Sequence, residues 1–172
     1  MPQTPPSPPL PAAARAIAAA TSDAVAAAQT GDVPVFDEAV ARLVAAEPEQ
    51  VRVVLGVVVR ALLENLHPDG VSSGDLLELI KSCARSSYGW YPGVDLQVLV
   101  VVLTGALGVH EPDLEPRQFT PLDVARHAPL FIAELLSPAR RGAGPQTQPY
   151  PLSSYFAAAF LEISRSELNE LP

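Results

Sequence analysis

The chain has 172 residues, enough for one domain whose core needs neither metal nor disulfide. Eleven basic residues, with Lys81 the one lysine, stand against 19 acidic ones, for a formal charge of −8. Nucleic acids and anionic membrane surfaces are bound through clustered Lys and Arg, and no basic cluster is larger than Arg140 with Arg141, so neither is an expected partner.

The scarcity of lysine beside abundant Ala, Val, Leu, Arg and Pro points to a GC-rich, bacterial coding sequence. The single cysteine, Cys83, has no intrachain partner for a disulfide, which fits a reducing cytoplasm. Residues 1–20 place no positive region ahead of their apolar stretch and do not read as a secretory signal. The longest apolar run, residues 94–109, falls short of the ~20 residues that cross a bilayer, so a soluble, cytoplasmic protein is expected.

Residues 1–10 form a proline-rich tail, with Pro2, Pro5, Pro8 and Pro11 at the three-residue spacing of polyproline II, and are expected to be disordered. From residue 11 to 172 the pattern is that of one all-α domain, a bundle of six or seven helices. The first predicted helix, 11–29, is rich in alanine and stops at Gly31; with Ile17 and Val25 its only large apolar residues, it is expected on the periphery. The second, 34–47, gathers Phe36, Val40, Leu43 and Val44 on one face. Pro48 opens the third, 48–66, which is apolar except for a narrow stripe of Arg52, Gly56, Arg60 and Glu64.

After the turn His67-Pro68-Asp69-Gly70, Ser72 and Asp75 have capping-box spacing for a fourth helix, 73–85, expected to bury Leu76, Leu77, Ile80 and Cys83. A loop with Tyr88, Trp90 and Tyr91 leads to residues 94–109, VDLQVLVVVLTGALGV. Past Gln97 this stretch is apolar on every side apart from Thr104, which predicts a helix at the centre of the core, beside the third. An acidic loop follows, and Thr120, Pro121 and Asp123 then start a sixth helix that runs to residue 136, with a kink expected at Pro129. Residues 137–151 read as a linker, and 152–168 as a last helix bearing Phe156, Phe160, Leu161 and Ile163 beside Ala157, Ala158 and Ala159.

Laying His67 on His110 aligns the third helix with the apolar one: Val53 on Leu96, Leu55 on Val98, Val59 on Val102, Leu66 on Val109. Each then runs through a Pro-Asp loop into an amphipathic helix, so segments 51–85 and 94–136 align as a duplicated helical hairpin. In that arrangement Gly56, Gly105 and Gly108 would let the two apolar helices approach closely, with the amphipathic helices flanking them.

The tripeptide His67-Pro68-Asp69 between two helices resembles the J-domain of Hsp70 co-chaperones over residues 60–85, and the resemblance implies contact with an Hsp70 chaperone. The preceding helix departs from that family's basic surface, with only Arg52 and Arg60 on its polar stripe and Glu64 following. The same residues also serve as a helix stop: a histidine at the helix C-terminus, a proline that ends it and an Asp-Gly turn.

The three histidines, His67, His110 and His127, are the weak candidates for metal ligands. One set joins His67 and Asp69 to His110 and Asp113 in two equivalent loops; another uses Asp123, His127 and Glu134, which share one helical face. Neither spacing is a ligand motif, and no metal or cofactor is implied. Phosphate loops, nucleophile elbows, H-E-x-x-H and C-x-x-C are all absent from the sequence.

Tyr88, Trp90 and Tyr91 stand out as a contact surface, because aromatic side chains bury large areas at small entropic cost; sealing one end of the core is the structural use of the same residues. The expectation is a non-catalytic protein acting through protein contacts, with self-association as a homodimer one form of it. A small-molecule or metal-binding helical domain is the alternative, with a pocket between the core helices or a site at the His-Asp loops.

Overall fold

A computed structural model describes residues 11–109, 119–138 and 150–169. The predicted N-terminal tail, the acidic loop with His110 and Asp113, and most of the predicted linker lie outside them. The described residues form seven helices and no strands: α1 (Ala12–Thr30), α2 (Val33–Ala45), α3 (Pro48–Leu66), α4 (Ser73–Tyr88), α5 (Leu96–Ala106), α6 (Pro121–Leu135) and α7 (Leu152–Asn169). The all-α bundle read from the sequence is what the chain adopts.

Local chemistry sets most of the boundaries. Gly31, at φ 71°, ends α1 in the left-handed conformation, and the Asp32 side chain accepts from the Val35 N–H to start α2. The positive φ of the tight α1–α2 turn is what asks for glycine there; Trp90 lies against it, at van der Waals distance from where a Cβ would stand. Pro48 occupies the first turn of α3 while Glu47 accepts from the Gln50 N–H. Reciprocal capping boxes, Ser72 with Asp75 and Thr120 with Asp123, begin α4 and α6.

Two helices occupy the centre, and the second is not the one expected. α3 buries Val51, Val54, Leu55, Val58, Val59, Leu62 and Leu63. Its partner is α6, in which every residue from His127 to Leu135 is buried and which touches α1, α2, α3, α4 and α5. The helix continues through Pro129. α5, read from the sequence as central, instead lies on the outside, buried through Val98, Leu99, Leu103 and Ala106 and packed on α3, α4 and α6. Its remaining face is open, with Leu96 at 45%, Val100 at 38% and Val109, just beyond it, at 50% exposure. Apolar composition made α5 a helix that can be buried; the neighbours available to each helix decided which one was.

Further corrections follow from packing. α1 is not peripheral: Ala14, Ile17, Ala20, Thr21, Ala24 and Ala27 line a buried stripe against α2 and α6, where small side chains permit close approach of the backbones. In α4, Leu77 points to solvent and Leu79, Cys83, Ala84 and Ser87 point inward. Leu161 of α7 is exposed, while Tyr155, Phe156 and Ala159 are buried. Gly56 faces α5, but a Cβ there would lie 3.9 Å from the Cα of Ala106, an ordinary contact, and Cβ atoms at Gly105 and Gly108 would meet nothing within 4 Å among the described residues, so close approach does not depend on these glycines. The two aligned segments also pack differently, for α5 lies along α6 while α3 makes little contact with α4.

The relocation of the centre from α5 to α6 has a measurable consequence. Phe131→Ala, at a fully buried ring of α6, is expected to lower unfolding free energy by about 3–5 kcal/mol, whereas Val100→Ala on α5 should change it by less than about 1 kcal/mol. Urea denaturation of both variants checks the assignment; equal losses would contradict it.

Candidate functional site

The aromatic loop divides by position. Tyr88 ends α4 and is exposed, Trp90 is half-buried and Tyr91 is buried. The N–H groups of Trp90 and Tyr91 both donate to the Ser87 carbonyl, at 3.1 and 2.8 Å, which turns the chain back over the end of the bundle. Phe36 of α2 receives both rings edge-on, with centroids at 5.3 Å for Trp90 and 5.0 Å for Tyr91, and the two lie 5.4 Å from one another. Burial pushes the Tyr91 phenol up from its ordinary range, against a smaller opposing effect of Arg126. Two of the three rings therefore close the core at the α2 end, and only Tyr88 offers a free aromatic surface.

His67 caps the C-terminus of α3, its N–H donating to the Leu63 carbonyl at 2.9 Å and its own carbonyl accepting from Gly70 at 3.0 Å. Pro68 and Asp69 form the exposed turn that follows. The tripeptide thus ends a helix that is core-facing except for the stripe of Arg52, Arg60 and Glu64. The other half of the first metal set, His110 and Asp113, lies outside the described residues.

The residues of the second set share a face of α6, but each is engaged elsewhere. Asp123 accepts from the Thr120 N–H and hydroxyl, both at 2.9 Å, within the capping box. His127, 2% exposed, accepts at Nε2 from the Asp95 N–H at 2.9 Å, and its Nδ1 lies 2.8 Å from the Asp123 carbonyl. Since Nε2 is an acceptor, the proton sits on Nδ1 and is donated to that carbonyl, which defines a neutral ring with both nitrogens used. Glu134 accepts from the Ser86 hydroxyl at 2.8 Å and from the Ser82 hydroxyl, both on α4. No group of three His, Cys, Asp or Glu side chains gathers among the described residues.

These buried polar contacts were the features least visible in the sequence. Ser82 reads as a solvent-facing residue of α4 and Glu134 as part of a solvated face of α6. The available signal was weak: two serines at i, i+4 on one helix, and a lone carboxylate within the otherwise apolar run from Ala128 to Leu135.

Concave surface is modest. A cleft of about 120 Å³ lies between Leu43, Pro48, Arg52 and the start of α6 at Thr120 and Pro121, below the ~300 Å³ typical of small-molecule pockets. A second, of about 370 Å³, is an open groove along α1 and α2, crossed by the Arg42–Asp23 ion pair at 2.7 Å. Another unfilled feature is the outer side of α5, where Leu96 and Val100 at one edge and Gly105 at the other flank Gln97 and Thr104, with Val109 exposed beyond the helix and no ionisable side chain between Leu96 and Val109. No described helix is long and apolar enough to cross a membrane. Comparison with protein-family models, with curated proteins and with solved structures finds no match to this chain.

The Glu134 contact is open to direct measurement. Glu134→Ala leaves two hydroxyls of α4 without their acceptor, and a loss of about 1–3 kcal/mol in unfolding free energy is expected. A double-mutant cycle with Ser86→Ala should return a coupling above about 0.5 kcal/mol; additive losses would mean that the contact does not hold α4 on α6.

Proposed function

We propose that the protein is non-catalytic and works through protein contacts, with self-association through the outer face of α5 as the contact it makes. The observation that carries this reading is the chemistry of that face. An exposed helix normally carries charged residues on its wet side, yet α5 has none, in a chain of net charge −8. A face without charge needs no opposite charge across from it, so a second copy of itself satisfies it, and two such faces meet about a two-fold axis.

Gly105 supports the same reading. Glycine inside a helix costs about 1 kcal/mol relative to alanine, and among the described residues nothing lies within 4 Å of a Cβ at Gly105. No described residue needs the missing side chain, whereas a helix approaching from outside would use it. The exposed Tyr88 and Leu77 of the neighbouring α4 extend the apolar surface available to a partner.

Sedimentation velocity across a concentration series tests the proposal. The wild-type chain is expected to dimerise and Val100→Glu to remain monomeric at wild-type stability. Gly105→Ala should raise the stability of the isolated fold by about 0.5–1 kcal/mol while weakening the dimer. A wild-type chain that stays monomeric at about 100 µM, where even modest association shows, would overturn self-association through α5.

A further inference from the structure

His127 makes a polar tie between α6 and the start of α5. Its ring, on α6, accepts the N–H of Asp95, the residue that begins α5, at 2.9 Å. The Asp95 carboxylate is itself occupied, accepting from the N–H groups of Gln97 at 2.8 Å and Val98 at 3.4 Å as the cap of that helix. With Nδ1 committed to the Asp123 carbonyl, the arrangement exists only while Nε2 carries no proton.

We propose that His127 is a pH-sensitive latch, and that protonation of its ring frees the Tyr91–Asp95 loop and the first turn of α5 from α6. A proton on Nε2 turns the acceptor into a donor facing another donor, so the bond to the Asp95 N–H breaks. The buried cation then needs an anion, and the nearest candidates are carboxylates already in use. If Asp95 swings to pair with the imidazolium, the Gln97 and Val98 N–H groups lose their cap; if it stays, the ring and the loop separate. Either course uncaps or releases the start of α5, which has no charged side chain of its own to hold it.

The surrounding charges define the balance. On α6, Asp123 favours the imidazolium and Arg126 opposes it; from the loop entering α5, Asp95 favours it; Asp37 of α2 bears on the adjacent Tyr91. Burial outweighs these and holds the ring below its ordinary value of 6.5. The sign of the linkage follows. Above 6.5 the latch contributes its full stabilisation; as pH falls from 6.5 towards the lowered folded value, the open form takes up the proton first and the contribution is lost.

Trp90, the one tryptophan, lies in the same connection and reports on it. Between about pH 8 and pH 5, wild-type tryptophan emission is expected to show one reversible single-proton step. Protection of the Gln97 and Val98 amides, with intrinsic exchange divided out, should fall by up to about tenfold per pH unit below 6.5 and then level off. His127→Gln, whose amide oxygen can take the place of Nε2 without titrating, should abolish both changes; their persistence in that variant would overturn the proposal. Should the variant fail to fold, nitrogen NMR of the wild-type ring decides: the Asp95 amide resonance must shift with the protonation of Nε2, and an Asp95 amide that stays fixed while the ring titrates overturns it.

Discussion

The half of α6 after Arg126 keeps no face in water, so the polar side chains it carries have to find partners inside the protein, and that condition falls on its surroundings. From His127 to Leu135 all its residues are buried, so an unpaired imidazole or carboxylate there would carry the full penalty of desolvation. Two contacts meet the demand at its two polar positions. Glu134 accepts from the half-buried Ser82 and the exposed Ser86, which ties the rotation of α4 to α6 with Leu77 on the opposite, wet side. His127 takes the Asp95 N–H, which fixes where α5 begins. The orientations of α4 and α5 are thus set as much by two polar residues of α6 as by apolar burial.

The remaining core is close packing around that axis. α1 contributes alanines, whose individual burial is small but which allow α1 to lie near both α2 and α6. At the α2 end, Phe36, Trp90 and Tyr91 close the bundle with edge-on ring contacts, a use of aromatic area that leaves little of it for a partner. Ion pairs lie at the rim: Arg60 bridges α3 to Glu162 of α7, with both side chains partly in solvent, where such pairs add little.

What could be read from the sequence was local. The Ser72–Asp75 and Thr120–Asp123 boxes, the Pro48 start and the Gly31 stop depend on residues within about one turn of each other, so their spacing carries the information. The all-α class and the buried α3 follow from periodicity sustained over long windows. Which apolar helix became central did not, because burial depends on the neighbours that surround a helix. Val98 to Leu103 outscore Ala128 to Leu135 in apolar character, yet α6 has five helices around it and α5 has three. The candidate site shows the same division. Helical spacing puts Asp123, His127 and Glu134 on one face, but it carries no sign that His127 meets Asp95 or that Glu134 meets Ser82 and Ser86, since those partners lie 32 to 52 residues away.

The outer face of α5 remains the part of the chain that internal packing does not explain. Its inner residues, Val98, Leu99, Leu103 and Ala106, already account for its hold on α3 and α6, and Asp95 accounts for its start. Val100, Gly105 and Val109 add nothing to those contacts. At an exposed helical position Glu, Lys or Arg has higher helix propensity than valine or glycine and keeps the surface wet. A monomer would be better served by such residues. Packing among the described residues therefore accounts for half of α5, and the other half is the surface on which the proposed self-association rests.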